Sequence, residues 1–473
     1  MAIATTDPRT GEVLQEFEAL GTVALQEALE RAAVAYQDYR NTSAAQRAAW
    51  LAVAADLLDA ENEDLAATMT TEMGKTLTSA RGEVTKCAAG LRWYAEHGPA
   101  LLERRPMPAA AVDAEQAFVE HQPLGAVLAV MPWNFPLWQA VRFAAPTLMA
   151  GNVALLKHAS NVPRTALALA DLLARAGFGE GVFTTLLVGS DQVETIVRDD
   201  RVVAVTLTGS EAAGRAVAAV AGAALKPSVM ELGGADPFIV MPSADLERAA
   251  QVGVTARCLN NGQSCINAKR FFVHADVAAD FTRPFVEKMA ALVVGDPFDA
   301  STDIGPLATE QGRADVEAYV ADAVAKGATV RCGGQRPDGP GWYYPPTVLT
   351  DVDASMDLWA EEVFGPVAQL VVVADLAEAL ALANDHPYGL GSSLFSQDEH
   401  ELAVFVHEIG SGMAFVNGTT TSYPELPFGG IKSSGYGREL TEAGLYAFMN
   451  AKTVWVGAST GSSNHPGAGS AAE

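Results

Sequence analysis

Cys265 closes the run Asn260-Asn261-Gly262-Gln263-Ser264-Cys265. Most cysteines are small buried hydrophobes, and Cys87, Cys258 and Cys332 suit that role. Cys265 has no obvious apolar face around it, so its polar, glycine-containing turn suits a reactive thiolate. A thiolate that attacks a carbonyl needs a donor for the oxyanion. Asn134 lies between Pro132 and Pro136, where two fixed backbones would hold its amide NH2 rigidly. An Asn that only supports the turn is the competing reading. Glu231 ends an apolar run just before Leu232-Gly233-Gly234. Burial there should raise its pKa, which suits a general base, against the alternative of a buried Glu paired with a structural cation.

Two further spots suit an anion. Lys157 follows the apolar run 153–156, where a cation could hold a ribose or phosphate or simply be solvated. Thr208-Gly209-Ser210 follows another apolar run and precedes a helical pattern, so free N–H groups would face a phosphate. The glycine spacing is not GxGxxG, and Ser210 serves equally as an N-cap.

These residues need elements that bring them to one place. Residues 22–104 are rich in Ala, Leu and Glu with apolar side chains at three- and four-residue spacing, which predicts helices. From 126 the pattern changes. Short apolar runs at 126–131, 153–156, 183–188, 202–207 and 229–231 alternate with helical patterns at 137–150, 163–176, 192–198 and 211–221. That rhythm predicts βαβ units and a parallel sheet buried on both faces. In such sheets ligands bind beyond the carboxyl ends of strands, where Asn134, Lys157, Gly209 and Glu231 would all lie. After Gly233-Gly234 a second alternation follows, with helices at 246–259, 281–292 and 376–384 and strands at 270–273 and 367–373. Residues 459–473, rich in Gly, Ser and Ala, read as a flexible tail.

The length of 473 residues predicts two or three domains at about 150 residues each. With 49% apolar and 19% charged residues the chain is globular. Its net charge of −26 disfavours nucleic acid and anionic membranes as partners, and any anionic ligand needs a local cation. Four cysteines are too few for a disulfide scaffold and fit a reducing cytoplasm. No CxxC or HExxH is present, so no metal site is expected. The N-terminus lacks a basic region followed by an apolar run, so no signal peptide is expected, and the longest uncharged apolar stretch, 126–141, is too short and too broken by prolines to span a bilayer.

Taken together and in order, PWNFP (132–136), Thr208 to Ser210, ELGG (231–234), GQSC (262–265), EEVFGP (361–366) and PFGGIKSSGYGRE (427–439) resemble the NAD(P)-dependent aldehyde dehydrogenase superfamily over about residues 5–457. LKHASNVP (156–163) and SYPELPFGG (422–430) are most similar to its bacterial succinate-semialdehyde dehydrogenases. The resemblance implies an α/β fold with a Rossmann-like cofactor domain (1–112 and 125–232), an α/β catalytic domain (233–424) and a small β oligomerisation arm (113–124 and 450–456). It also implies a homodimer or homotetramer acting on a small aldehyde.

By the same resemblance Cys265 attacks the aldehyde, Asn134 and the Cys265 N–H hold the oxyanion, and Glu231 activates the water that hydrolyses the thioester. Trp133, Asn134, Lys157, Ser160, Gly209, Ser210, Leu232, Glu362 and Phe364 map to cofactor contacts, and Arg142 and Ser422 to substrate contacts. Two departures bear on this. Many NAD-preferring relatives carry Glu three residues after the lysine, where this chain has Ser160. A hydroxyl does not repel a 2′-phosphate, so NADP is the expected cofactor and NAD the alternative. Some succinate-semialdehyde dehydrogenases place an arginine six residues before the cysteine, where this chain has Leu259. Competing functions are oxidation of a related ω-semialdehyde such as glutarate semialdehyde, or of a broad range of aliphatic aldehydes, a non-redox cysteine esterase, and a non-catalytic homologue.

Overall fold

The computed structural model describes residues 2–458; the expected tail, 459–473, lies outside them. A hairpin, β1 (Ile3–Asp7) and β2 (Glu12–Phe17), precedes four helices: α1 (Thr22–Tyr39), α2 (Ala44–Ala60), α3 (Asn62–Met73) and α4 (Leu77–Leu101). Helix α4 starts at Thr76, whose side chain accepts from the Ser79 N–H at 3.3 Å.

The predicted βαβ rhythm is present as β5 (Ala126–Met131), α5 (Pro136–Ala150), β6 (Val153–His158), α6 (Pro163–Arg175), β7 (Phe183–Thr185), α7 (Val193–Arg198), β8 (Val202–Thr208), α8 (Glu211–Ala223) and β9 (Ser228–Glu231). Prolines at the first positions of α5 and α6 set the helical φ where an N–H has no partner anyway. The sheet order is β19-β9-β8-β5-β6-β7, parallel except for β19 (Gly435–Tyr436), which returns from the C-terminal region antiparallel to β9. Strand β7 is shorter than the apolar run 183–188 suggested. Beyond Leu186 the chain leaves the ladder, and the Leu187 carbonyl accepts from Leu20 at 2.8 Å.

A second sheet of seven strands has the order β12-β13-β14-β11-β10-β16-β17. Its members are β10 (Asp236–Val240), β11 (Ala268–His274), β12 (Thr329–Cys332), β13 (Thr347–Thr350), β14 (Val367–Val373), β16 (Ser393–Phe395) and β17 (Phe415–Val416). Only β12 is antiparallel. Helix α9 (Leu246–Cys258) covers it and runs directly towards the Cys265 turn. Two small sheets complete the chain: β15 (Tyr388–Gly389) with β18 (Ile431–Lys432), and a three-stranded sheet of β3 (Arg105–Pro106), β4 (Gln116–Pro123) and β20 (Met449–Val456). Each large sheet has its own hydrophobic core, and the carboxyl ends of β5, β8 and β9 face the Cys265 turn.

Candidate active site

Helix α9 ends at Cys258 because Leu259 turns to extended backbone and Asn260 and Asn261 take φ of 59° and 58°. Asn tolerates the left-handed region better than other side chains. Gly262 follows at φ 76°, and a Cβ there would sit 2.4 Å from the Gly365 carbonyl carbon, so only glycine fits. The fully buried Arg257 guanidinium donates to Gly262 O at 2.6 Å and Ala268 O at 3.2 Å, and also to Gly365 O. It thereby ties the cysteine turn to the loop that carries Glu362 and Phe364. Lys269, also fully buried, donates to the carbonyls of Ser264 and Cys265 at 2.9 Å each.

Cys265 lies where two cavities meet. The smaller, about 220 Å3, is lined by Trp133, Asn134, Gly209, Ser210, Leu232, Glu362 and Phe364 among others. The larger, about 670 Å3, runs past Trp138, Arg142, Leu259, Ser422 and Phe428. Cys265 and Gln139 are the residues common to both walls. The thiol is partly accessible, yet burial pushes its pKa up to about 12, with Glu362 adding to the rise and Arg142 and Lys269 opposing it. Desolvation outweighs the nearby cations, so this environment holds the thiol proton more tightly than the polar turn by itself suggested. Asn134 is buried, and its Nδ2 donates to Gln263 O at 3.1 Å, which uses one of its two N–H bonds.

Glu231 ends β9, and neither of its carboxyl oxygens has a protein partner. Burial and the neighbouring Glu439 raise its pKa well above the usual range, against opposing pulls from Arg142 and Arg438. Its Oε1 is packed against Gly429, where a Cβ would come within 2.5 Å. The side chain lies behind the cavity walls and contributes to neither.

The smaller cavity suits the nicotinamide end of a dinucleotide. Trp133 and Phe364 meet edge to face at 5.7 Å, with Leu232 on the same wall, which makes an apolar slot for a flat ring. Glu362 presents a carboxylate suited to ribose hydroxyls, and Gly233 has no Cβ that would crowd it. Ser210 caps α8 by accepting from the Ala213 N–H at 3.3 Å, so the capping role is present, and the start of α8 still faces the cavity. Lys157 and Ser160 lie outside that cavity, at the carboxyl end of β6 and just beyond it; Lys157 pairs in register with Val130 on β5. No His, Cys, Asp and Glu cluster able to hold a metal exists among the described residues.

The model of the aldehyde dehydrogenase family matches residues 1–454. The chain belongs to the aldehyde dehydrogenase family. A Mycobacterium tuberculosis (strain H37Rv) protein named succinate-semialdehyde dehydrogenase [NADP(+)] 1 is 59% identical over 96% of this chain and 100% of its own length. A Mycobacterium avium succinate-semialdehyde dehydrogenase [NADP(+)] is 58% identical, with both chains covered in full. Among solved structures, the Streptococcus pyogenes succinic semialdehyde dehydrogenase in complex with NADP+ is similar at a TM-score of 0.93 and 39% identity, covering 97% of this chain and 100% of its own. The family's fold expected from the motifs is therefore present.

In this aldehyde dehydrogenase the residue expected to grip the substrate, Arg142, already has a charged partner. The guanidinium does reach the larger cavity, but it is buried, ion-paired with Glu439, 3.4 Å from Thr208 Oγ1 and 4.4 Å over the Phe428 ring. Its charge is already met. Ser422 stands on the same cavity wall, as a substrate contact must. Sequence reasoning missed Gln139, Lys269 and Lys86. Only Gln139 had a local signal, its place in the first turn of α5 just after Asn134.

Proposed function

We propose that this enzyme oxidises succinate semialdehyde to succinate with NADP, through a thiohemiacetal and a thioester on Cys265. The observation that carries the reading is the place of Cys265, open on one side to a cavity with an apolar slot and a carboxylate suited to a nicotinamide ribose, and on the other to a cavity large enough for a short aldehyde. The succinate-semialdehyde dehydrogenases named above support the substrate and the cofactor.

Cys265 first releases its proton to solvent through the open cavities, and the thiolate adds to the aldehyde carbon as the carbonyl π pair moves onto the oxygen. The second Asn134 N–H and the Cys265 backbone N–H receive the resulting oxyanion. Removing one such donor typically costs about 2.7–4 kcal/mol of transition-state stabilisation. A bound NADP supplies the hydride acceptor that this chain lacks. Glu362, Trp133, Leu232 and Phe364 would hold the nicotinamide end, and Gly209, Ser210, Lys157 and Ser160 would hold the phosphates and adenosine ribose. After acylation Glu231 turns from Gly429 towards the thioester and takes a proton from the attacking water. Its raised pKa makes it a strong enough base for that step once ionised.

The four free cysteines suit work in a reducing cytoplasm. Among the described residues no helix is long and apolar enough to cross a membrane. The sheet of β3, β4 and β20, with Trp455 55% exposed, is the surface through which we expect a homodimer or homotetramer to form. The deciding experiment is a panel of aldehydes of different length and charge against NADP and NAD, followed by absorbance of the reduced cofactor. Highest kcat/KM with succinate semialdehyde and NADP supports the reading. Absence of reduced cofactor with every aldehyde, alongside ester hydrolysis, would overturn it.

A further inference from the structure

An acidic protein that takes an anionic aldehyde needs a cation in the substrate cavity, and neither of the usual positions supplies a free one. Leu259 is apolar and 43% exposed on the cavity wall. Arg142 is held by Glu439. The other charged groups on the wall are also engaged: Glu83 pairs with Lys75 and accepts from the N–H groups of Leu137 and Trp138, and Asp303 accepts from Val293 N at 2.9 Å. Lys86, on α4, remains. Among the described residues it has no carboxylate partner, and its ammonium lies 4.7 Å over the Trp138 ring.

Lys86 Nζ donates to Ser422 Oγ at 2.7 Å, and Trp138 Nε1 donates to the same oxygen at 3.1 Å. A serine oxygen has two lone pairs, so both are in use. The Ser422 O–H proton is therefore left for another acceptor. Lys86 keeps two N–H donors. Together they present three donors and one positive charge at a single point of the cavity that ends at Cys265.

We propose that Lys86, with the Ser422 hydroxyl it fixes, is the seat of the substrate's distal carboxylate. The ammonium replaces the arginine that Leu259 lacks, and it reaches the cavity from a different element, α4. This inference rests on the ω-semialdehyde reading above. It makes Lys86 a specificity-determining residue, selective for aldehydes that carry a terminal carboxylate.

The test measures kcat/KM with NADP for succinate semialdehyde and for uncharged butanal on the same preparation. The ratio of the two cancels any loss of folded enzyme. In Lys86→Met the ratio is expected to fall by at least about 30-fold, the loss of a desolvated charge partner. Lys86→Arg, which keeps the charge, should restore most of it. Ser422→Ala, on another segment, should lower the ratio in the same direction by about 3–10-fold. Succinate should also inhibit butanal oxidation by Lys86→Met more weakly than by the wild type. A high wild-type ratio left unchanged in Lys86→Met overturns the seat alone. A wild-type ratio near one overturns the ω-semialdehyde reading itself.

Discussion

The ammonium of Lys269 stands 3.3 Å from the carboxylate of Glu362, while its other donors hold the carbonyls of Ser264 and Cys265. One buried cation thus joins a residue on the cofactor cavity to the turn that carries the nucleophile. Burial raises the Glu362 pKa, and Lys269 is the first of the groups that oppose the rise.

Lys269→Met would leave Glu362 enclosed without its cation and two carbonyls without a donor. Breaking a buried pair from one side costs about 3–5 kcal/mol. We expect a clear fall in the apparent unfolding temperature and a rise in KM for NADP. Lys326→Met, which removes exposed ion pairs with Asp322 and Asp357, should move the melting curve far less. Equal shifts in the two variants would remove the special role of Lys269.

Alkylation tests the state of Cys265. Burial pushes the Cys265 thiol up to about 12, so it ionises mainly at high pH and its thiolate fraction at pH 7 lies below that of a free cysteine. Iodoacetamide should therefore modify Cys265 of the cofactor-free enzyme slowly at pH 7, and faster with each step of pH up to 10. Mass spectrometry of the labelled peptide reads the site. Rapid, pH-independent labelling between pH 6 and 8 would show a thiolate already present. Cys265→Ala should abolish dehydrogenase turnover, while Cys87→Ala and Cys332→Ala keep most of it.

Glu231→Gln should separate acylation from hydrolysis. Rapid mixing is expected to show a burst of reduced cofactor, then a slow phase reduced by about 10²–10⁴-fold. The pH dependence follows from the direction of the shift. Because the Glu231 pKa is raised, its basic form is lost as pH falls through that value, so wild-type thioester hydrolysis should slow on the acid side. A Glu231→Gln enzyme whose burst disappears while hydrolysis is unchanged would assign Glu231 to deprotonating the thiol instead.

Arg142→Ala removes the partner of Glu439 in an enclosed site where Glu231 is also near. An uncompensated buried carboxylate takes up a proton or destabilises the fold by about 3–5 kcal/mol. The expected outcome is a similar fractional loss of kcat/KM for succinate semialdehyde and for butanal, together with a lower unfolding temperature. Loss confined to succinate semialdehyde would return Arg142 to the role of carboxylate grip.

Much of the molecule was legible in the sequence because it is encoded locally. Apolar runs of the right length became β5, β6, β8 and β9, and proline at the start of α5 and α6 marked the helices. The turn from Asn260 to Cys265 was legible as polar and glycine-containing, and it is built from three successive positive-φ residues, Asn260, Asn261 and Gly262. Nothing local told that Arg142 would be paired with Glu439, 297 positions further on, or that Lys86 would meet Ser422, 336 positions away. The charge of a side chain is written in the chain, but which charge neutralises it depends on which elements pack together. The thiol shows the same division. Its residue type and turn were evident, whereas the upward shift of its pKa comes from how much water the packed elements around it exclude.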